Sequence, residues 1–215
     1  MEVRTAALAG ATGLVGGHVL ANLLADARHA RVVVLGRRPI PREHPSLVQH
    51  QVDFHRLDAV DESPADLYCC LGSTIRKAGS KQAFREIDFQ YPLNFAKWGL
   101  ARGARRLMLV SSVDAGNQSS FYLRTKGELE SALEGLGFDA LHIFQPSFLV
   151  GDRSESRLGE RIGIAIGSAL APALIGRLRK YRPMPAERLA RGMVSAAWSG
   201  SRGVRRYVFD DIREQ

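Results

Sequence analysis

The sequence predicts a doubly wound α/β fold, a mostly parallel sheet with helices on both faces. Three observations point to it. Short apolar runs alternate with longer segments of helical period, the runs are continuously apolar, and a glycine triplet joins the first run to the first helix. Continuous runs such as VVVL (32–35) and LMLV (107–110) suit strands covered on both faces, and strand–helix alternation marks a parallel sheet. By this reading strands span 3–9, 31–35, 46–52, 66–71, 106–110 and 140–144, and helices span 17–27, 82–101 and 123–136. A loop at 183–187 leads into a helix that ends near Trp198, and a last strand covers 206–209.

Composition sets outer bounds. A chain of 215 residues, 45% hydrophobic and 24% charged, is large enough for one full core, so one domain over 1–215 is the default. The net charge is +8, but the 30 Lys and Arg are spread along the chain, with only short clusters at Arg105–Arg106 and 177–182. That pattern lacks the basic arm of a nucleic-acid binder and favours an anionic small ligand. Cys69 and Cys70 are adjacent and point to opposite sides of a strand, which argues against a disulfide between them. No cluster of metal-ligand spacing accompanies them, and reduced cysteines without a signal peptide make the cytoplasm the expected compartment. The uncharged stretch 162–176 is 15 residues long and interrupted by Pro172, short of the roughly 20 apolar residues that span a bilayer. It reads as a broken core helix, with a membrane-surface or substrate-lining segment as the lesser alternative.

In doubly wound sheets ligands bind beyond the carboxyl ends of the strands, so the residues after each strand carry the functional information. After the first comes GATGLVG (10–16), which follows a strand and opens a helix, the context of a dinucleotide fingerprint. Gly10 permits the tight turn, Gly13 lets backbone approach a pyrophosphate, and Gly16 allows close packing, while the helix N-terminus offers free N–H donors. After the second strand, Arg37 and Arg38 stand where an acidic residue would bind the ribose of NAD. A guanidinium matches phosphate with a bidentate fork, so NADP is preferred over NAD. Asp53, after the third strand, either meets the adenine amino group or caps a turn. The fourth strand delivers Leu71 and Gly72 in a small-residue bend, and the fifth delivers Ser111 and Ser112.

Shortly after that serine pair, FYLRTK (121–126) places Tyr122 and Lys126 one helical turn apart on a shared face. Alone the spacing is unremarkable. A strand-end serine followed by Tyr-x-x-x-Lys, behind an N-terminal glycine fingerprint, resembles the short-chain dehydrogenases and reductases. More narrowly, GATGLVG, VLGRR, CCLGST, KAGSKQAFREIDFQYP, LVSS, YLRTKGELE and FQPSFLVGDRSESRLGE together resemble the atypical members related to the Tat-interactive oxidoreductases. Nearly the whole chain takes part, and it departs from the pattern at Gln145, where arginine is expected before the proline.

The resemblance implies an NADPH-binding Rossmann core with a small C-terminal lobe over about 145–185. It implies cofactor contacts from Thr12, Gly13, Leu14, Val15, Arg37, Arg38, Leu71, Gly72, Tyr122, Lys126, Leu149 and Arg157. In the implied mechanism Tyr122 is the general acid and Lys126 favours its phenolate and binds the nicotinamide ribose. Ser112 holds the substrate oxygen, with Ser111 as the alternative. Arg153 and Arg157 are further candidates for cofactor phosphate or an anionic substrate, or surface charges balancing Glu155 and Glu160. Phe144 and Phe148 suggest an apolar pocket or simply core, and His142 reads as a packed core histidine. The expected activity is hydride transfer to or from a small carbonyl, alcohol or quinone. An NADPH-sensing protein with a regulatory partner and an epimerase of nucleotide sugars are the alternatives. No stable membrane insertion is expected, and a homodimer is compatible with the sequence.

Overall fold

In the computed structural model the described residues are 2–151 and 174–212. The strands are β1 (Arg4–Ala9), β2 (His29–Gly36), β3 (Leu47–Gln51), β4 (Asp66–Cys69), β5 (Arg106–Val110), β6 (Ala140–Phe144), β7 (Leu149–Val150), β8 (Met184–Pro185) and β9 (Gly203–Tyr207). Seven of them form one sheet in the order β3-β2-β1-β4-β5-β6-β9, with every pairing parallel. β7 and β8 pair separately as a two-residue ladder. The fold is the doubly wound α/β architecture, with its order reversing between β1 and β4.

The helices are α1 (Leu14–Ala25), α2 (Ile75–Ala78), α3 (Lys81–Arg85), α4 (Tyr91–Ala101), α5 (Phe121–Glu134) and α6 (Ala186–Ala197). Successive strand residues face opposite layers, which explains the unbroken apolar runs. Leu8, Val32, Tyr68 and Met108 pack with Val19 and Leu23 of α1 and Leu189 and Met193 of α6. Their neighbours Ala7, Val33, Leu67 and Leu109 pack instead with Phe95 of α4 and Leu129 of α5. Each fully buried leucine contributes roughly 2 kcal/mol, so the two-sided core is what holds the strand ends in register beneath the site.

Two predicted elements are corrected. The helix expected over 82–101 is α3 and α4 joined by a π-helical turn, Glu86–Gln90. Pro92 is the cause: it has no N–H to donate to the carbonyl of residue 88, and just before it the Tyr91 N–H donates to the Glu86 carbonyl instead. The last strand runs Gly203–Tyr207 rather than 206–209, because it follows the five residues of β6 in register, Ala140 opposite Gly203 to Phe144 opposite Tyr207. Of the predicted lobe over 145–185, the part at 152–173 lies outside the described residues. A 3₁₀ segment, Gly176–Tyr181, and the β7–β8 ladder make up much of the rest. No helix among the described residues is long and apolar enough to cross a membrane.

Candidate active site

The turns after β1 and β4 meet at the point where strand order reverses, the position at which such sheets bind ligands. Gly10 has φ +91°, and a Cβ there would lie 2.5 Å from the Cys70 carbonyl oxygen, so only glycine allows the two turns to touch. A Cβ at Gly16 would lie 2.0 Å from the Gly10 carbonyl oxygen, which fixes how closely α1 sits on the turn. The Gly13 N–H donates to the Gly10 carbonyl at 3.0 Å. No side chain caps α1 and no acid occupies its first turn. Its free N–H groups and positive dipole end are therefore open to an anion beside exposed Thr12 and Gly13.

Arg37 and Arg38 are exposed on the turn after β2. Backbone anchors that turn, with the Gln51 side-chain amide donating to the Arg37 carbonyl at 3.2 Å and Val52 N–H to the Gly36 carbonyl at 2.9 Å. Asp53 accepts from the His55 N–H at 2.9 Å, the turn-capping role, while staying near the surface. Tyr91 stacks on Phe54 with ring centroids 5.4 Å apart. Burial raises its phenol, the charges of Glu86 and Asp53 add to that, and Arg37 opposes them, which places Tyr91 among these groups.

Across the turn after β4 lies the feature that sequence reasoning missed. Asp88, fully buried on the π-helical turn, receives the Ser73 N–H at 2.7 Å on one oxygen and the Lys126 ammonium at 2.7 Å on the other. A Cβ at Gly72 would come within 3.5 Å of that carboxylate and 3.7 Å of the ammonium, so the pair lies just under the bend. Burial opposes the charge on Lys126, but Asp88 and then Tyr122 outweigh it and hold the ammonium above its ordinary pKa. Burial pushes the Asp88 carboxyl up, against the pull of Lys126 and the Ser73 N–H. The ammonium lies 5.9 Å from the centroid of the Tyr122 ring, which packs on Phe84 at 5.4 Å. The available signal was an acid four residues after Phe84 and four before Pro92, inside an apolar helical stripe whose flanking residues are buried.

The serine pair divides. Ser111 donates its hydroxyl to buried Glu130 at 2.5 Å, and Gln145 donates to the same carboxylate at 2.9 and 3.1 Å. Arg206 of β9 donates to it at 3.2 Å and also pairs with Glu134. At position 145 an arginine would carry the charge that Arg206 supplies here. Ser112 points elsewhere, its hydroxyl making a long 3.3 Å bond to the Val113 carbonyl.

The other predicted residues scatter more widely. Leu149 of β7 and Leu14 of α1 pack against the same core, and Leu14 also approaches Gly151. Leu71 is half-buried. Arg153 and Arg157 lie outside the described residues. Phe144 is buried while Phe148 is 74% exposed, so the two do not line one pocket. His142 is a core residue bonded to the Tyr207 hydroxyl at 2.8 Å, its pKa lowered to about 4 chiefly by burial. Both cysteines are free, with burial pushing Cys69 up to about 11, as befits inert packed thiols. No group of His, Cys, Asp and Glu among the described residues could hold a metal ion.

Three comparisons bear on this arrangement. Residues 6–122 match the NAD dependent epimerase/dehydratase family. The rat protein HTATIP2 is 38% identical over 169 residues, 74% of this chain and 69% of its own length. The mitochondrial protein fmp52 of Aspergillus clavatus is 29% identical over 207 residues, 92% of this chain and 88% of its own. Among solved structures, the Bordetella bronchiseptica enzyme WbmH in complex with NAD+ superposes with a TM-score of 0.72 at 16% identity, covering 96% of this chain and 75% of that one. UDP-glucose 4-epimerase from Thermotoga maritima gives 0.71 at 13%, covering 95% and 76%. These structures share the fold, while the family match spans more than half the chain and includes the glycine turn, both arginines, Asp88 and Tyr122. The chain belongs to the NAD dependent epimerase/dehydratase family.

Proposed function

We propose that the chain is an NADPH-dependent reductase or dehydrogenase of the short-chain type, acting on a small carbonyl, a quinone or the corresponding alcohol. The observation that carries this reading is Lys126, a buried cation one helical turn from Tyr122 at the carboxyl end of the sheet, beside a glycine turn open to an anion. The cofactor fits the residues present: a Cβ at Gly10 or Gly16 would collide with backbone, and α1 begins uncapped. Thr12 to Gly16 would hold the pyrophosphate, Arg37 and Arg38 the 2′-phosphate, and Leu71 and Gly72 the ribose side.

NADPH bound there supplies the hydride. Tyr122 gives its phenolic proton to the carbonyl oxygen as negative charge develops on it, and Lys126 stabilises the phenolate left behind. Ser112 donates a hydrogen bond to the same oxygen. Asp88 keeps Lys126 protonated and anchored. Family membership favours one second reading, interconversion of a nucleotide sugar through a transient keto form, which would use the same three side chains.

Cofactor titration by nucleotide fluorescence, followed by NADPH oxidation on a quinone, separates them. The reductase reading predicts binding of NADPH at least tenfold tighter than NADH, lost in the Arg37→Ala/Arg38→Ala double variant. Tighter NADH binding, or NAD copurifying with a chain that turns over no carbonyl, contradicts it.

A further inference from the structure

Asp114 is the one non-glycine residue among the described residues with positive φ, +58°. It sits two residues after Ser112, where the left-handed conformation is uncommon for a residue with a side chain and persists only when its surroundings hold it. What holds it is visible. One carboxylate oxygen accepts from the Lys180 ammonium at 2.5 Å and the other from the Tyr181 hydroxyl at 2.7 Å. Both partners belong to the 3₁₀ segment Gly176–Tyr181. The same end of that segment is tied to the loop after β6, where Ser147 donates to the carbonyl of Arg182, the residue after Tyr181, at 2.5 Å. That loop is tied back in turn, with the Val113 N–H donating to the Pro146 carbonyl at 3.0 Å. The C-terminal end of the 3₁₀ segment is thus held beside the loops that follow β5 and β6, fastened to the serine-bearing loop by one side chain.

We propose that Asp114 is a positioning residue for the substrate: by clasping Lys180 and Tyr181 it fixes the 3₁₀ segment against the loop that carries Ser112. The inference rests on the reductase reading and adds to it the residue that sets substrate fit. Asp114 touches none of the glycine-turn or arginine residues assigned to the cofactor, so its effect belongs to substrate KM. Two charge-assisted bonds to one carboxylate are geometrically demanding, since Lys180 and Tyr181 must both remain in place to satisfy it.

Asp114→Gly is the informative variant, because glycine keeps the backbone conformation while deleting the clasp. With NADPH and 9,10-phenanthrenequinone as the probe, KM should rise at least fivefold while kcat stays within twofold and the NADPH Kd is unchanged. Hydrogen exchange of amides 176–182 should accelerate at least tenfold. Adding Tyr181→Phe to Asp114→Gly should raise KM no further, since the shared bond is already gone. Faster exchange with unchanged KM would reduce the clasp to a structural tie and overturn the proposal, as would unchanged exchange. A wild-type chain that binds NADPH but reduces no carbonyl overturns the reductase reading itself and the positioning role with it. That outcome differs from an active wild type whose variant is unaffected.

Discussion

Replacing Asp88 with asparagine removes the only carboxylate within ion-pairing distance of the Lys126 ammonium among the described residues. The side chain keeps an oxygen for the Ser73 N–H, 2.7 Å away, so what is lost is the charge. Both residues are buried, Lys126 3% and Asp88 0% exposed, so solvent cannot take over the pairing. Breaking one partner of such a pair costs about 3–5 kcal/mol, and the retained bond argues for the lower end, about 3 kcal/mol. For a chain of this size that corresponds to a fall in Tm of roughly 6–12 °C. The pH dependence changes sign as well. In the wild type the raised pKa of Lys126 stabilises the fold below the unfolded lysine value near ~10.4, and that stability is lost as pH rises through the folded value. In Asp88→Asn the largest charge opposing burial is gone, burial then outweighs Tyr122 and depresses the Lys126 pKa, so the unfolded state binds more protons and stability rises with pH toward ~10. Urea denaturation from about pH 6 to about pH 11.5 measures both effects, the rise in the variant below ~10 and the onset of loss in the wild type above it. Lys126→Met added to Asp88→Asn should recover most of the loss, because it removes the stranded cation. Strict additivity of the two single costs would refute the pairing.

Two further pairs of variants separate packing from chemistry. Gly16→Ala drives a methyl to within 2.0 Å of the Gly10 carbonyl oxygen and should cost about 3 kcal/mol and abolish NADPH binding. Gly17→Ala, whose nearest neighbour would lie at 3.7 Å, should instead stabilise α1 by about 0.5–1 kcal/mol, and equal behaviour of the two variants would contradict the packing. Ser111→Ala takes a donor from Glu130 and should cost about 1–2 kcal/mol with kcat unaltered. Ser112→Ala should lower kcat by roughly a hundredfold with stability unaltered, and the reverse assignment in steady-state kinetics would exchange the two roles.

The parts of this molecule legible in the sequence are those set by local chemistry. β5 and β6 fall on the predicted 106–110 and 140–144 because each is a short apolar run ended by polar or turn residues. The glycine turn could be read from spacing, since Gly10 and Gly16 each answer a backbone contact that no other residue permits. Pairings between distant elements were not legible. Glu130 meets Arg206 across 76 positions, and Asp114 meets Tyr181 across 67. Asp88 escaped notice because its partner is chosen by the π-helical turn, which rotates the helix before Pro92. The short β7 and β8 carry no period to read, two residues each.

Tyr122, assisted by the buried Lys126 ammonium, passes the proton that accompanies hydride transfer. Tyr122→Phe tests it most directly, with NADPH affinity measured by fluorescence and single-turnover oxidation of bound NADPH by 9,10-phenanthrenequinone followed at 340 nm. The account predicts NADPH binding within twofold of wild type and a rate lowered by about 10²–10⁴. An unchanged single-turnover rate in a variant that still binds NADPH would contradict it.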